Sequence, residues 1–471
     1  MTTFAQAAQN QETRTENGMK AFKATQNACT DLFFKIGASR GKDIIPDFVA
    51  ALVENKDIAL RIAQWVRDIR QGAGERQIFR DILQYLEKND MESAIRLAKK
   101  VPDLGRFDDL FAFQTPKMQD VGFELVRQAL AEGNGLAAKW TPRKGRVAEQ
   151  FRQYLGWSPK FYRKTLVNLT KVVEQQMCSK QWEEINFSHV PSLAHARYKT
   201  AFFRNTEKYA EYVAKLTKGD KTVKVNAGAV YPYDVLKGVA NLYYTAGYNQ
   251  TQKDLIVAQW NALPNYVGSA NILPMVDVSG SMACSAGSKG STTCMDVAVS
   301  LGLYLSEKNQ GKFKDLFLTF SGTPELLSLK GDVVQRAQQM VKSKWAMNTD
   351  LHAAFDKVLS VAVKNQVPQS EMPEILLILS DMQFDHCAEY DHSAMQMIAS
   401  KYQRAGYQVP KVVFWNLNAH DNVPAKFNQQ GVALISGFSP SIMKAVLSGD
   451  LEQFTPEAIM LKTVMSDRYS L

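Results

Sequence analysis

Through most of the first 268 positions, apolar residues recur at three- and four-residue spacing, the period that gathers them on one face of an α-helix. Such stretches cover residues 44–53, 58–69, 78–86, 121–131, 162–176, 206–216, 233–242 and 254–262. Asp57 and Asp90 precede two of them, where a short carboxylate can accept the orphan N–H groups of a first turn. Gly72 and Gly74 interrupt the pattern in a tight turn. Short amphipathic helices joined by turns predict an all-α stacked array, without a clean repeat period. After the connector 264–268 the period changes. Residues 272–276, 316–320, 375–379, 412–415 and 432–435 are short apolar runs rich in Val, Ile, Leu and Phe. Between them lie helical patterns at 296–307, 333–341, 351–363, 394–402 and 442–447. Strands alternating with helices predict an α/β unit with a mainly parallel sheet covered on both faces. The chain is therefore expected to be multidomain, with a helical part over 1–268 and an α/β part over 269–471.

Charge changes this picture by its location. The formal +9 divides into 39 basic against 28 acidic residues over 1–268, and 17 against 19 over 269–471. Residues 139–224 alone hold 18 basic and 7 acidic residues, so the excess sits in one helical stretch. Such a stretch is the electrostatic footprint of a polyanion-binding surface, or simply a solvated lysine-rich face. There Arg143, Lys144, Arg146, Arg163, Lys164, Lys171, Arg197, Lys199 and Arg204 interleave with Trp140, Tyr154, Tyr162, Trp182 and Tyr198. Basic groups track phosphates and aromatic faces stack unpaired bases, although rings at helical spacing also serve as core. No run of about 18 apolar residues predicts a membrane span. The polar start and five widely spaced cysteines suggest reduced thiols in the cytoplasm.

In open α/β sheets, ligands bind beyond the carboxyl ends of the strands. The first strand runs into Asp277-Val278-Ser279-Gly280-Ser281, offering one carboxylate and two hydroxyls at alternate positions. Thr349 and Asp350 precede a helix, and Asp381 follows a later strand. An all-oxygen set of this kind suits a hard divalent cation, Mg²⁺ first, with Mn²⁺ and Ca²⁺ also compatible, and it is a poor zinc site.

The triplet, the threonine before a helix and the aspartate after a strand occur in the order found in von Willebrand factor A (vWA) domains, and the segment 269–471 resembles one. That resemblance implies a metal-ion-dependent adhesion site. Asp277, Ser279 and Ser281 would surround the metal, Thr349 would bind it directly or through water, and Asp381 would be a water-linked carboxylate. One position would stay open for a partner's Asp or Glu. Met347-Asn348 departs from the Gly-Gly that many relatives carry before the Thr-Asp pair.

A helical domain followed by a vWA domain resembles the Ro autoantigen (TROVE-plus-vWA) proteins, and more closely an uncharacterised Ro-like family. Segments carrying the likeness include residues 65–76, 101–110, 162–164, 182–198, 231–234 and 380–385. The resemblance implies HEAT-like helical repeats. It also implies a non-enzymatic protein that binds structured noncoding RNA with a single-stranded end, with an exoribonuclease among its candidate protein partners. The runner-up expectation is a metal-dependent adhesion module without RNA binding, and behind it a metal-dependent nuclease or phosphatase. No P-loop and no G-x-G-x-x-G occurs. His386, Cys387 and His392 lack a second ligand pair and suit a solvated loop. Cys284 and Cys294, flanking a Gly/Ser loop, suit ordinary thiols better than a redox pair.

Overall fold

The computed structural model describes residues 12–170, 172–225, 230–236, 250–267, 271–286, 292–310, 312–320, 323–342, 350–384, 394–420, 422–447 and 454–471. The chain forms two compact units, Met1–Ile58 with Val230–Asp467, and Ala59–Ala229 with Arg468–Leu471.

The first unit is built on a sheet. A small antiparallel pair, β1 (Glu12–Arg14) and β2 (Lys20–Phe22), opens the chain. The main sheet comprises β3 (Ile272–Asp277), β4 (Leu316–Phe320), β5 (Leu326–Ser328), β6 (Ile375–Ser380), β7 (Lys411–Asn416) and β8 (Val432–Ser436). Its order is β5-β4-β3-β6-β7-β8, parallel throughout except for the antiparallel edge strand β5. β3, β6 and β8 are buried along their whole length, as strands covered on both faces must be. Alternate side chains serve the two faces. Leu273, Met275, Leu376 and Ile378 join Phe355, Ile398 and Tyr402 of the helices Leu351–Lys364 and Ala394–Arg404. Val276 and Leu379 meet the helix Cys294–Lys308, which approaches so closely that a Cβ on Gly302 would lie 2.3 Å from Val276 Cγ2. The mainly parallel sheet with helices on both faces is as the alternating pattern predicts.

The division of the chain differs from the expected one. The units do not part at the 264–268 connector, because residues before it pack on the sheet. Met19 and Phe34 lie in the sheet's apolar core. The helix Ala28–Ile36 docks on β8, where Ser436 Oγ donates to Phe33 O (2.8 Å) and accepts from Gly37 N–H (3.0 Å). Tyr304 OH accepts from Tyr266 N–H (3.1 Å), and its ring meets Trp260 edge-on. Asp57 also departs from expectation: it lies inside the helix Lys56–Arg67, and Asn55 Oδ1 accepts the Ile58 N–H instead. Asp90 caps Met91–Leu104 as predicted, accepting from Ser93 N–H.

In the second unit, successive helices pack against one another: Gln77–Asn89, Met91–Leu104, Pro116–Ala131, Gly135–Trp140 and Pro159–Leu169. The expected helix 162–176 is broken, with Thr170 ending Pro159–Leu169 before Val173–Cys178 begins. The segments 65–76 and 101–110 make a buried corner. Arg67 Nε donates to Asp109 Oδ2 (2.7 Å) with both side chains buried, and Arg80 Nε donates to Asp109 Oδ1 (2.8 Å). Asp68 receives Arg468 through both oxygens, together with Tyr469 OH. A Cβ on Gly72 would collide with Trp65 O at 1.9 Å, so the turn requires glycine. Part of the expected helix 233–242 and the loop 385–393, with His386, Cys387 and His392, lie outside the described residues.

Candidate functional site

β3 lies between β4 and β6, and its last residue, Asp277, sits at the carboxyl edge of the sheet. Its side chain is fully buried. Asp277 Oδ1 accepts from Ser279 N–H (2.9 Å), and Oδ2 accepts from Ser380 Oγ–H (2.5 Å). The chain then enters the short turn Gly280–Ala283, which points Ser279 and Ser281 together with their hydroxyls 2.9 Å apart. Ser281 Oγ lies by the Asp381 carboxylate, and either serine can donate to the other. Asp381 follows β6, is 1% exposed, and accepts weakly from Gln383 N–H (3.4 Å). Met382, beside it, adopts φ 65°, a conformation that a side-chain-bearing residue holds only when its surroundings impose it.

The structure thus brings together four of the expected metal-site residues: Asp277, Ser279, Ser281 and Asp381. Thr349 lies outside the described residues, as does the preceding loop. Asp350 accepts from Ala353 N–H (2.9 Å) and caps Leu351–Lys364.

The electrostatics follow from burial. Desolvation, and then the neighbouring Asp381 charge, push the Asp277 carboxyl up to about 6. Desolvation also raises Asp381, while hydrogen bonding from Ser281 and the nearby His420 oppose the rise. Among the described residues neither carboxylate forms an ion pair. Two buried like charges with converging hydroxyls form a donor set that a hard cation would neutralise. Among the described residues, no group of three or more His, Cys, Asp or Glu side chains is arranged to hold a metal. The candidate set therefore rests on two carboxylates supplemented by hydroxyls. Ser380 and His420 carry no distinctive spacing. The signal for both was position, Ser380 as the last residue of β6 and His420 past the end of β7, at the carboxyl edge.

The candidate RNA-binding cations lie in the second unit. Arg143, Lys144, Arg146, Arg163, Lys164, Arg197 and Arg204 are exposed, and Lys199 is half-buried. Lys171 lies outside the described residues. Arg143 Nη2 donates to Thr170 Oγ1 (2.9 Å). None of the seven exposed cations pairs with a described carboxylate, unlike nearby Arg127 with Glu124 and Arg152 with Glu149. The helix Pro159–Leu169 buries Tyr162 and Leu166 and turns Lys160, Arg163 and Lys164 outward. The rings divide. Tyr162 is core, its OH donating to Pro142 O (2.7 Å), and Trp140 lies under the Arg106 guanidinium at 3.6 Å. Tyr154 is exposed and donates to Glu124 (3.0 Å); Tyr198 is half-buried and donates to Glu174 (3.2 Å); Trp182 is half-buried. Phe161, absent from the expected set, is 52% exposed with Trp157 against it edge-on.

Two family models match the chain, each described as a domain of unknown function: DUF2828 over residues 15–101 and 129–270, and DUF7788 over residues 271–468. "Uncharacterized protein L728" of Acanthamoeba polyphaga mimivirus is 30% identical over 512 residues, covering 95% of this chain and 86% of that protein. Among solved structures, the Ro (RSR) protein of Deinococcus radiodurans aligns with 94% of this chain and 100% of its own, at 12% identity and a TM-score of 0.39. Among the described residues no helix is long and apolar enough to cross a membrane.

Proposed function

We propose a function for a chain that belongs to one family with the mimivirus protein L728: a non-enzymatic, Ro-like protein that binds structured noncoding RNA through its helical unit. The observation that carries this reading is the set of exposed cations without carboxylate partners among the described residues, Arg143, Lys144, Arg146, Arg163, Lys164, Arg197 and Arg204. A lysine or arginine already held by a carboxylate gains less from a phosphate, whereas these give up no described carboxylate. Binding to RNA would release the counterions condensed on its backbone. Exposed Phe161, beside Lys160 and Lys164, offers a ring to an unpaired base, which suits RNA with a single-stranded end. The resemblance of the sequence to Ro proteins points the same way and suggests cytoplasmic work on RNA.

In this reading the helical unit is HEAT-like and the α/β unit is a vWA domain. Asp277, Ser279, Ser281 and Asp381, completed by Thr349, would hold a divalent cation, Mg²⁺ foremost. The cation would leave one position for an Asp or Glu of a protein partner, for which an exoribonuclease is a candidate. The experiment is an electrophoretic shift series with structured RNA bearing a single-stranded tail. Binding should weaken steeply with added salt; failure to bind even at low salt would end the reading.

The buried carboxylate pair favours a second reading, a metal-dependent adhesion module without RNA. Capture of a protein partner that is lost on chelation and in Asp277→Ala, with no RNA shift at any salt, would favour it.

A further inference from the structure

Two thiols stand beside the carboxylate site and take no part in the function proposed above. Cys284 follows the turn Gly280–Ala283, and Cys294 opens the helix Cys294–Lys308. Backbone pairing sets them face to face. Ser285 bridges Thr293 in antiparallel sense, Cys294 N–H donates to Cys284 O (3.0 Å), and Ala286 N–H donates to Thr292 O (3.0 Å). Residues directly opposed in an antiparallel pair have Cα atoms about 4.5–5.5 Å apart, inside the range of about 4.4–6.8 Å that a disulfide bridges. The sulfurs are 3.3 Å apart. A closure of about 1.3 Å separates that contact from an S–S bond of about 2.05 Å.

The surroundings divide the roles. Cys284 is half-buried and its sulfur accepts from Asn418 Nδ2–H (3.3 Å), a bond that also supports a thiolate. Cys294 is buried, with its thiol donating to Leu417 O (3.4 Å). The other described thiols lack this arrangement. Cys178 is exposed, and Cys29 is buried against the Glu54 carboxylate.

We infer that Cys284 and Cys294 form a redox dithiol that a peroxide closes into an intramolecular disulfide. The Cys284 thiolate attacks one peroxide oxygen, the O–O bond breaks, and a sulfenic acid forms. The hydroxide that leaves takes up the proton lost by the thiol and becomes water. Cys294 sulfur then attacks the sulfenic sulfur. The S–S bond forms, the S–O bond breaks, and the departing hydroxide leaves as a second water with the Cys294 proton. Two thiols and one hydrogen peroxide give one disulfide and two waters, a two-electron oxidation of sulfur. The closed bond ties the serine-bearing turn to the first turn of the helix Cys294–Lys308, because Cys284 N–H already donates to Ser281 O (3.1 Å).

The full chain is treated with hydrogen peroxide, alkylated under denaturing conditions and digested with trypsin. Cleavage after Lys289 places the two cysteines on separate peptides. The expected product is those two peptides joined, lighter than their reduced sum by two hydrogens and separated by a phosphine reductant. In Cys294→Ser the joined product disappears and Cys284 becomes trappable as a sulfenic acid by dimedone. Separate alkylated peptides, at a peroxide dose that oxidises Cys178, overturn the inference. So does wild-type Cys284 driven to the sulfinic acid with Cys294 still alkylatable.

Discussion

At the carboxyl edge of the sheet, two carboxylates are buried against one another, and four hydroxyl or amide groups aim at them. On the helical unit, seven cations stand in solvent without carboxylate partners among the described residues. The first region is costly to build and tightly positioned, because each unpaired charge has lost its water. The second costs the fold little and is loosely positioned, because each charge keeps its water. The contrast teaches where specificity can reside. Buried oxygens discriminate by geometry among small ions, whereas an exposed basic face recognises a polyanion by summed charge.

The largest expected effect tests the exposed side of this comparison. Replacing Arg143, Lys144, Arg163 and Lys164 together by Glu should weaken RNA binding about 1,000-fold and flatten its salt dependence. Filter binding over a salt series measures both, and an unchanged affinity breaks the contrast.

Proton linkage comes next, and it runs in opposite directions in the two units. Asp277 titrates near 6 in the folded chain against about 3.8 ordinarily, so its contribution is present below about 3.8 and is lost as pH rises through 6. His195, buried between Tyr209 OH and Phe187 O, is pushed down by desolvation to about 4. Its contribution is present above about 6.5 and is lost as pH falls through 4. Each is worth about 3 kcal/mol at most. In chelator-treated protein, amide exchange across pH 4–7 should show Ile375–Ser380 losing protection towards neutrality. Ser192–Asn205 should gain protection over the same range. Asp277→Asn should cancel the first trend alone.

Gly302→Ala should cost about 2 kcal/mol, because the new methyl meets Val276 on the strand that carries Asp277. Urea unfolding measures it. The smallest effect belongs to Asp350→Ala, which removes a helix cap worth about 1 kcal/mol. A loss of divalent-ion binding out of proportion to that change would move Asp350 from cap to ligand.

The sheet and its edge were largely legible in the sequence. Residues 272–276, 316–320, 375–379, 412–415 and 432–435 all fall in strands, because a strand buried on both faces leaves an uninterrupted apolar run. β5 was not legible: it is three residues long at an edge, with exposed or half-exposed side chains. The helix Ala28–Ile36 escaped for the opposite reason. It buries Thr30 and Asp31 along with its apolar residues, so burial there does not follow apolar periodicity. Asp31 Oδ1 accepts Thr25 N–H (2.7 Å), a partner that spacing does not announce. At the site, Asp277, Ser279, Ser281 and Asp381 could be placed because strand ends aim successive residues at one edge. Ser380 and His420 could not, since nothing local distinguishes them. On the basic face, charge showed through composition, whereas the roles of Tyr162 and Phe161 depended on helix rotation.

The docking of the helix Ala28–Ile36 on β8 sets an order of events during synthesis. Phe33 is held by Ser436, 403 positions later. At a translation rate of about 5–20 residues per second, its partner emerges roughly 20–80 s after it does. Throughout that interval Leu32, Phe33, Phe34 and Ile36 are made but not yet covered by the sheet. A nascent chain of this protein therefore carries an uncovered apolar segment at Ala28–Ile36 until β8 has left the exit tunnel.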